Sequence, residues 1–208
     1  NTINGQRTKN SLRFWSTNSN ILATGTGGGI TLSGKTFDDN DHPQICWSGG
    51  NILATSGPIV INTDKESLLI ENDMFVGSRS GIAGNTISSS NVRFSIDDLN
   101  VTSGRLIRVA TTGSLTIEPF GNSFTDYTPS TNTIVGLSTA TGWSFNENTQ
   151  TLTGLTIGKP LNTSNITIGS TTTIAGPVTV YGGNININEN LNTTSGGTNG
   201  DILLKAAS

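Results

Sequence analysis

Charge is scarce in this chain. Only 12% of its 208 residues are Asp, Glu, Lys or Arg, about half the share of a typical globular enzyme. The 11 basic and 14 acidic side chains nearly cancel and form no basic stripe, which excludes the electrostatic footprint of a nucleic-acid binder. Apolar residues make up only 32%, and none of their runs approaches the about 18 residues that a membrane span needs. A disordered chain is also poor in apolar residues but carries a high net charge; here the net charge is −3. The single cysteine, Cys46, rules out an internal disulfide. No window holds apolar residues at i, i+3, i+4 and i+7, so helix is nearly absent. The first residue is Asn1 and the sole methionine is Met74, so the chain reads as a mature or excised segment. No signal peptide is visible, which in a segment says nothing about export.

What the chain has instead is neutral polarity: Ser, Thr, Asn and 26 glycines. Short apolar alternations recur from end to end, each broken by Gly, Asn, Asp or Ser, which predicts strands of four to seven residues. They include NILAT (20–24), GITLSG (29–34), QICW (44–47), NILAT again (51–55), IVINT (59–63), SLLIEN (67–72), VRFSID (92–97), LNVTS (99–103), RLIRVAT (105–111) and SLTIEP (114–119). Further on come LTGLTIG (152–158), NITIGS (165–170), TTIAGPVTVYGG (172–183), NININ (184–188) and DILLK (201–205). The vocabulary is fixed while its spacing varies. NILAT returns after 31 residues, TIG after 11, and GGNI stands at 49–52 and 182–185. That combination predicts a stacked-coil architecture with loops of unequal length.

The expected fold is therefore all-β: a right-handed parallel β-helix, or β-solenoid, with three short strands per coil and a less regular loop region near 120–150. A β-sandwich is the alternative, but apart from Asn199-Gly200 the breaks are not hairpin turns. One such coil cannot bury its apolar face alone, so stacking imposes the repetition of residue types. About 20 to 25 residues per coil and about 4.8 Å per layer give eight to ten coils and a rod of about 40 to 50 Å. Residues 1–208 read as a single solenoid segment, with 1–112 less regular than 113–208.

The run from GSLTIEPFGNSF to GDILLKA, residues 113 to 206, resembles repeats of very large bacterial surface proteins similar to filamentous haemagglutinin, which often carry neighbouring domains of the MBG type. GGGITLSG to PIVINT (28–63) resembles the same class less specifically, and both the N-terminal 16 residues and 65–100 match it poorly. The resemblance implies a right-handed parallel β-helix, export to the bacterial cell surface, and a role as adhesin stalk or surface fibre. It supplies no active-site residues.

Candidate chemistry is thin. FGNSFTDYTPSTNTIVGLSTATGWSF (120–145) gathers Phe120, Phe124, Tyr127, Trp143 and Phe145. These aromatics either cover a coil from a folded-back loop or, through Phe124, Tyr127 and Trp143, form a platform on which sugar rings stack. Asp38, Asp39 and Asp41, with His42, are the densest set of oxygen donors for calcium, but their spacing lacks the order of a calcium loop, and a solvated turn is the plainer reading. Asp97 and Asp98, near Arg105 and Arg108, would serve a polysaccharide lyase or hydrolase only if a bend turned both carboxylates to one face. Cys46 is either a buried small hydrophobe or a nucleophile paired with His42. GTGGGI (25–30) has no following Gly-Lys-Ser/Thr and no helix, which excludes a phosphate loop. The threonines near 171–173 lack the regular T-x-T of an ice-binding face.

The sequence thus points to a non-catalytic, extracellular structural or adhesive segment without cofactor or metal. Its expected partners are neighbouring repeats of the same chain or end-to-end copies, and surface glycans held by many weak contacts. A carbohydrate-active enzyme on the same scaffold and a self-assembling fibre subunit are the alternatives.

Overall fold

The structure, a computed structural model, describes residues 2–4, 12–16, 19–34, 45–63, 67–78, 86–124, 137–138, 142–145, 151–193 and 200–207. Within them every regular element is a strand, and every strand pairing is parallel. The largest sheet runs, in order, through β1 (Thr2–Asn4), β4 (Ile30–Gly34), β7 (Ile59–Thr63), β10 (Val92–Ser95), β13 (Ser114–Glu118), β16 (Gly154–Ile157), β19 (Val178–Gly182) and β22 (Ile202–Ala206). A second series holds β2 (Leu12–Phe14), β5 (Ile45–Trp47), β8 (Ser67–Ile70) and β11 (Asp98–Val101) in one sheet. Its later members, β14 (Leu137–Ser138), β17 (Ile166–Ile168) and β20 (Ile185–Ile187), form another. The third series is β3 (Asn20–Ala23), β6 (Gly50–Ala54), β9 (Met74–Gly77), β12 (Ile107–Ala110) and β15 (Trp143–Ser144), then β18 (Thr172–Ile174) with β21 (Leu191–Thr193).

In every sheet the bonded neighbour is the third strand along the chain. Three strands therefore make one layer, and each layer lies on the next, an arrangement consistent with a parallel β-helix. The eight strands of the largest sheet span about 33 Å at the usual inter-strand spacing. Partners in that sheet stand as few as 23 residues apart, Val92 to Leu115, and as many as 40, Leu115 to Leu155. The variation lies in the connections, as stacked layers allow.

Side chains alternate across each strand, and the register turns that alternation into columns. Ile30, Ile59, Val92, Leu115, Leu155 and Val178 form one inward column; Leu32, Ile61, Phe94, Ile117, Ile157 and Val180 form the next. All twelve are buried, and they join Ile45, Trp47, Leu68 and Ile70 of the second series and Ile52, Met74, Val76, Ile107 and Val109 of the third in one apolar cluster. Parallel in-register stacking puts like on like, so the column, not the single layer, is the unit of burial.

The duplicated NILAT is one such register. Asn20, Ile21, Leu22 and Ala23 lie on Asn51, Ile52, Leu53 and Ala54, so its 31-residue spacing measures one layer. The other two repeats do not: the TIG phrases sit in β16 and β17, and the GGNI phrases touch β6 and β19–β20, which belong to different sheets. The described strands of 65–100, a span poorly matched in the sequence, stand in register, with Leu68 and Ile70 on Ile45 and Trp47. At several positions, Gly176 and Gly77 among them, the layers approach so closely that only glycine fits. A β-carbon at Gly176 would strike the Thr153 carbonyl oxygen, and one at Gly77, whose φ is 99°, would strike the Ala110 carbonyl oxygen.

Candidate functional site

The aromatic region resolves into an interior and an exterior. Register places Trp143 on Ile107, which itself stands on Met74, so Trp143 continues an inward column and is 5% exposed. Its ring meets Phe94 edge-on at 5.0 Å and Phe145 at 6.1 Å. Phe124 is 6% exposed and belongs to the same core. Its backbone N–H donates to Asn162 Oδ1 (3.3 Å), and its carbonyl accepts from the Ser164 hydroxyl. Neither ring offers a face to a sugar; both cover the core, because the column they enter faces inward. Tyr127 lies outside the described residues. Among the described aromatics of this stretch Phe120 stands in solvent, half-exposed at a corner where Lys159 Nζ donates to the Phe120 carbonyl (3.2 Å) and Ser123 and Thr163 share a hydrogen bond (2.9 Å).

Asn162, missed in the sequence, organises that corner. It is buried; its Nδ2 donates to the Tyr181 carbonyl (2.8 Å) in the adjoining layer, and its Oδ1 takes the amide of Ser164 as well as that of Phe124. A second buried polar stack closes another corner. The hydroxyls of Ser88 and Ser90 both donate to the Ala54 carbonyl (2.8 Å each), and that of Thr111 donates to the Ser90 carbonyl (2.8 Å). Both stacks bring side-chain donors to backbone carbonyls at or near strand ends, Ala54 of β6 and Tyr181 of β19 among them, which is what burial demands of a polar group. Isolated Ser, Thr and Asn in a chain full of them carry no signal for this role.

The two neighbouring carboxylates have different surroundings. Asp97 is buried in the turn before β11, and its Oδ1 accepts from Gly121 N–H (2.8 Å). Asp98 opens β11, rather than ending a strand, and is half-buried with its Oδ1 lacking a hydrogen-bond partner among the described residues. Desolvation pushes its pKa up to about 6; the Leu99 amide offsets part of the rise and the Asp97 charge adds to it. Arg108 turns to Asp73, whose Oδ2 accepts from its Nε at 2.9 Å, and Arg105 is exposed in a turn. Asp38, Asp39, Asp41 and His42 lie outside the described residues, and among those described no group of three His, Cys, Asp or Glu could hold a metal ion.

Cys46 is buried, and its thiol pKa is raised first by that burial and then by the Glu71 carboxylate. Glu71 itself accepts from the Ser48 hydroxyl (2.5 Å) and from Arg13 (3.3 Å), so one corner ties three successive layers together. Arg13 also lies 3.5 Å above the ring of Trp15, which is 73% exposed. A thiol held protonated inside a wall is a packing group, not a nucleophile.

What remains accessible is non-covalent. On the largest sheet's outer face Thr116, Thr156 and Thr179 stack in three consecutive layers, and Arg93 bonds Glu118 across β10 and β13. Asn165 and Asn184 continue the polar wall, the Asn184 amide donating to Asn165 Oδ1 (3.0 Å). At the β22 end the wall changes character: Ile202, Leu203 and Leu204, together with Ile187 of β20, are exposed. The chain matches no protein-family model, no curated protein and no solved structure.

Proposed function

We propose that this chain is a right-handed parallel β-helical segment that works as a rigid, non-catalytic stalk or fibre section of an extracellular bacterial surface protein. One observation carries the reading. In every sheet the bonded neighbour is the third strand along the chain, in parallel register, and the three strand series share one apolar cluster. Length in such a scaffold grows by adding layers without a new core design, which suits a spacer. The likeness of residues 113–206 to filamentous haemagglutinin-like repeats supports export and adhesion.

Adhesion on this scaffold is distributed. Thr116, Thr156 and Thr179, with Asn165 and Asn184, offer hydroxyls and amides at layer spacing, and Phe120 offers one exposed ring. Each contact with a hydrated polysaccharide is weak, and their number along the wall supplies the avidity. Recognition by neutral hydrogen bonds also fits the small net charge of −3.

The test incubates the purified chain with soluble and insoluble polysaccharides and scores both co-sedimentation and newly formed chain ends. Retention without new ends, weakened by Phe120→Ala, is expected. New chain ends that vanish in Asp98→Asn would replace the stalk by a carbohydrate-active enzyme.

A further inference from the structure

With two exceptions, the described cations of this chain already have a partner. Arg13, Arg93 and Arg108 each bond a carboxylate, that of Glu71, Glu118 and Asp73 in turn, and Lys205 Nζ lies 5.6 Å from the centre of the Tyr181 ring. Arg105, exposed in a turn, is one exception. Lys159 is the other. Its Nζ donates to the Phe120 carbonyl at 3.2 Å, and among the described residues no carboxylate lies within ion-pair distance of it. An ammonium carries three donors, so two remain for a ligand.

Phe120, whose carbonyl holds that ammonium, has a half-exposed ring with no aromatic or cationic neighbour among the described residues. The loops that carry the two residues are tied to each other. Thr163 N–H donates to Ser123 Oγ (2.9 Å), and the two hydroxyls share a second bond (2.9 Å). Asn162 N–H donates to the Lys159 carbonyl (2.8 Å), while its Oδ1 takes the Phe124 amide (3.3 Å). Groups held in place beforehand lose little entropy on binding. The loops follow β13 and β16, each of which has a bonded strand on both sides, so the exposure of this corner does not come from either end of the stack.

We propose that Lys159 and Phe120 form a subsite for an acidic sugar residue of a polysaccharide: the ammonium pairs with the sugar carboxylate, and the phenyl ring meets the C–H face of the sugar ring. The inference rests on the glycan-binding reading above and names the sugar class within it. Neighbouring carboxylates do not neutralise the site. Glu118 is bonded to Arg93, and Asp97 is buried with the Gly121 N–H on its Oδ1. Phosphate and sulfate groups are better met by arginine forks or several amides, whereas one ammonium at an open ring suits one carboxylate on a pyranose. The net charge of −3 gives no general attraction for a polyanion, so a preference for one must be local.

The test uses the full chain and two forms of one polymer: a linear polyuronate, and the same polymer with its carboxyl groups reduced to primary alcohols. Affinity electrophoresis at fixed ionic strength, in gels containing either form, gives the two apparent Kd values. The polyuronate should bind about twofold to fivefold more tightly than its reduced form. Lys159→Gln should remove that preference with an unmoved urea midpoint, Lys159→Arg should keep most of it, and Phe120→Ala should weaken both forms. Arg105→Gln changes the net charge as much as Lys159→Gln does and should leave the preference intact. Equal binding of the two forms by the unsubstituted chain would overturn the subsite while leaving a glycan-binding wall. A loss in Arg105→Gln as large as in Lys159→Gln would assign the preference to overall charge and overturn it too. Retention of neither form would overturn this inference together with the glycan reading on which it rests.

Discussion

The side-chain amide of Asn51 donates a hydrogen bond to Oδ1 of Asn20 in the neighbouring layer, and each asparagine opens a copy of the same phrase, Asn-Ile-Leu-Ala. The pair shows how a repeated word becomes a structural column. Asn20 is exposed, but Asn51 is 2% exposed, so the two respond differently to truncation. Asn51→Ala should lower stability by about 1–2 kcal/mol, read as a shift of the urea midpoint at unchanged slope. Asn20→Ala, which takes this acceptor away from the buried Asn51 amide while Asn51→Ala leaves only the exposed Asn20 behind, should cost as much or more. A negligible loss in Asn20→Ala would show that the hydrogen bond does not act as an inter-layer tie.

That column was legible because both copies fall in the same sheet. The same signal misled for the TIG phrases, whose 11-residue spacing joins two different sheets rather than two layers. Alternation sufficed to find the strands of the largest sheet from β4 onward, where two inward residues flank an outward one. It failed at β9 and β21: Met74-Phe75-Val76 puts a large aromatic on the outward position, and Leu191–Thr193 offers only one apolar residue. Phe124 and Trp143 exposed a deeper limit. An aromatic that fills a column and one that awaits a sugar have the same composition signal, and only register separates them.

Asp98 makes stability depend on pH in an unusual direction for a carboxylate. Its folded pKa, about 6, lies above the reference 3.8, so the fold favours the protonated form. Its contribution is most favourable below pH 3.8, declines as pH rises through 3.8 to 6, and is constant above. Asp98→Asn should therefore stabilise the protein at pH 7 by about 1–2 kcal/mol, a figure discounted for partial exposure. At pH 3.5 the same substitution should change little. Urea midpoints of the two proteins across this range give the answer, and a gain that is the same at both pH values would exclude desolvation of the charge as its cause.

Gly77 and Gly104 both adopt positive φ, 99° and 76°, but only Gly77 faces a neighbouring layer's carbonyl. Gly104 has open space around it. Gly104→Ala should cost about 1 kcal/mol, the price of a left-handed alanine. Gly77→Ala adds a collision with Ala110 and should cost at least twice as much or prevent folding. Thermal midpoints of the two variants side by side separate backbone strain from inter-layer fit.

Cys46 should report on the integrity of the stack. With its thiol buried and its pKa raised, it should resist alkylation at pH 8 in the native protein and become reactive along the urea transition. Rapid labelling without denaturant would mean that the wall around β5 opens independently of the rest.

Trp143 and Phe120 give the sharpest contrast between packing and recognition. Trp143 sits beneath the wall, edge-on to Phe94 at 5.0 Å, and removing it leaves a cavity in a column that adjoining layers cannot refill. Trp143→Ala should therefore cost about 3–5 kcal/mol and be seen as a large drop in the unfolding midpoint. Phe120, 50% exposed, should be removable with a change of no more than about 0.5 kcal/mol. If polysaccharide retention falls in Phe120→Ala while stability holds, the exposed corner contributes to binding. If a folded Trp143→Ala protein instead loses retention with an unmoved midpoint, the interior placement of that ring is the wrong account of it.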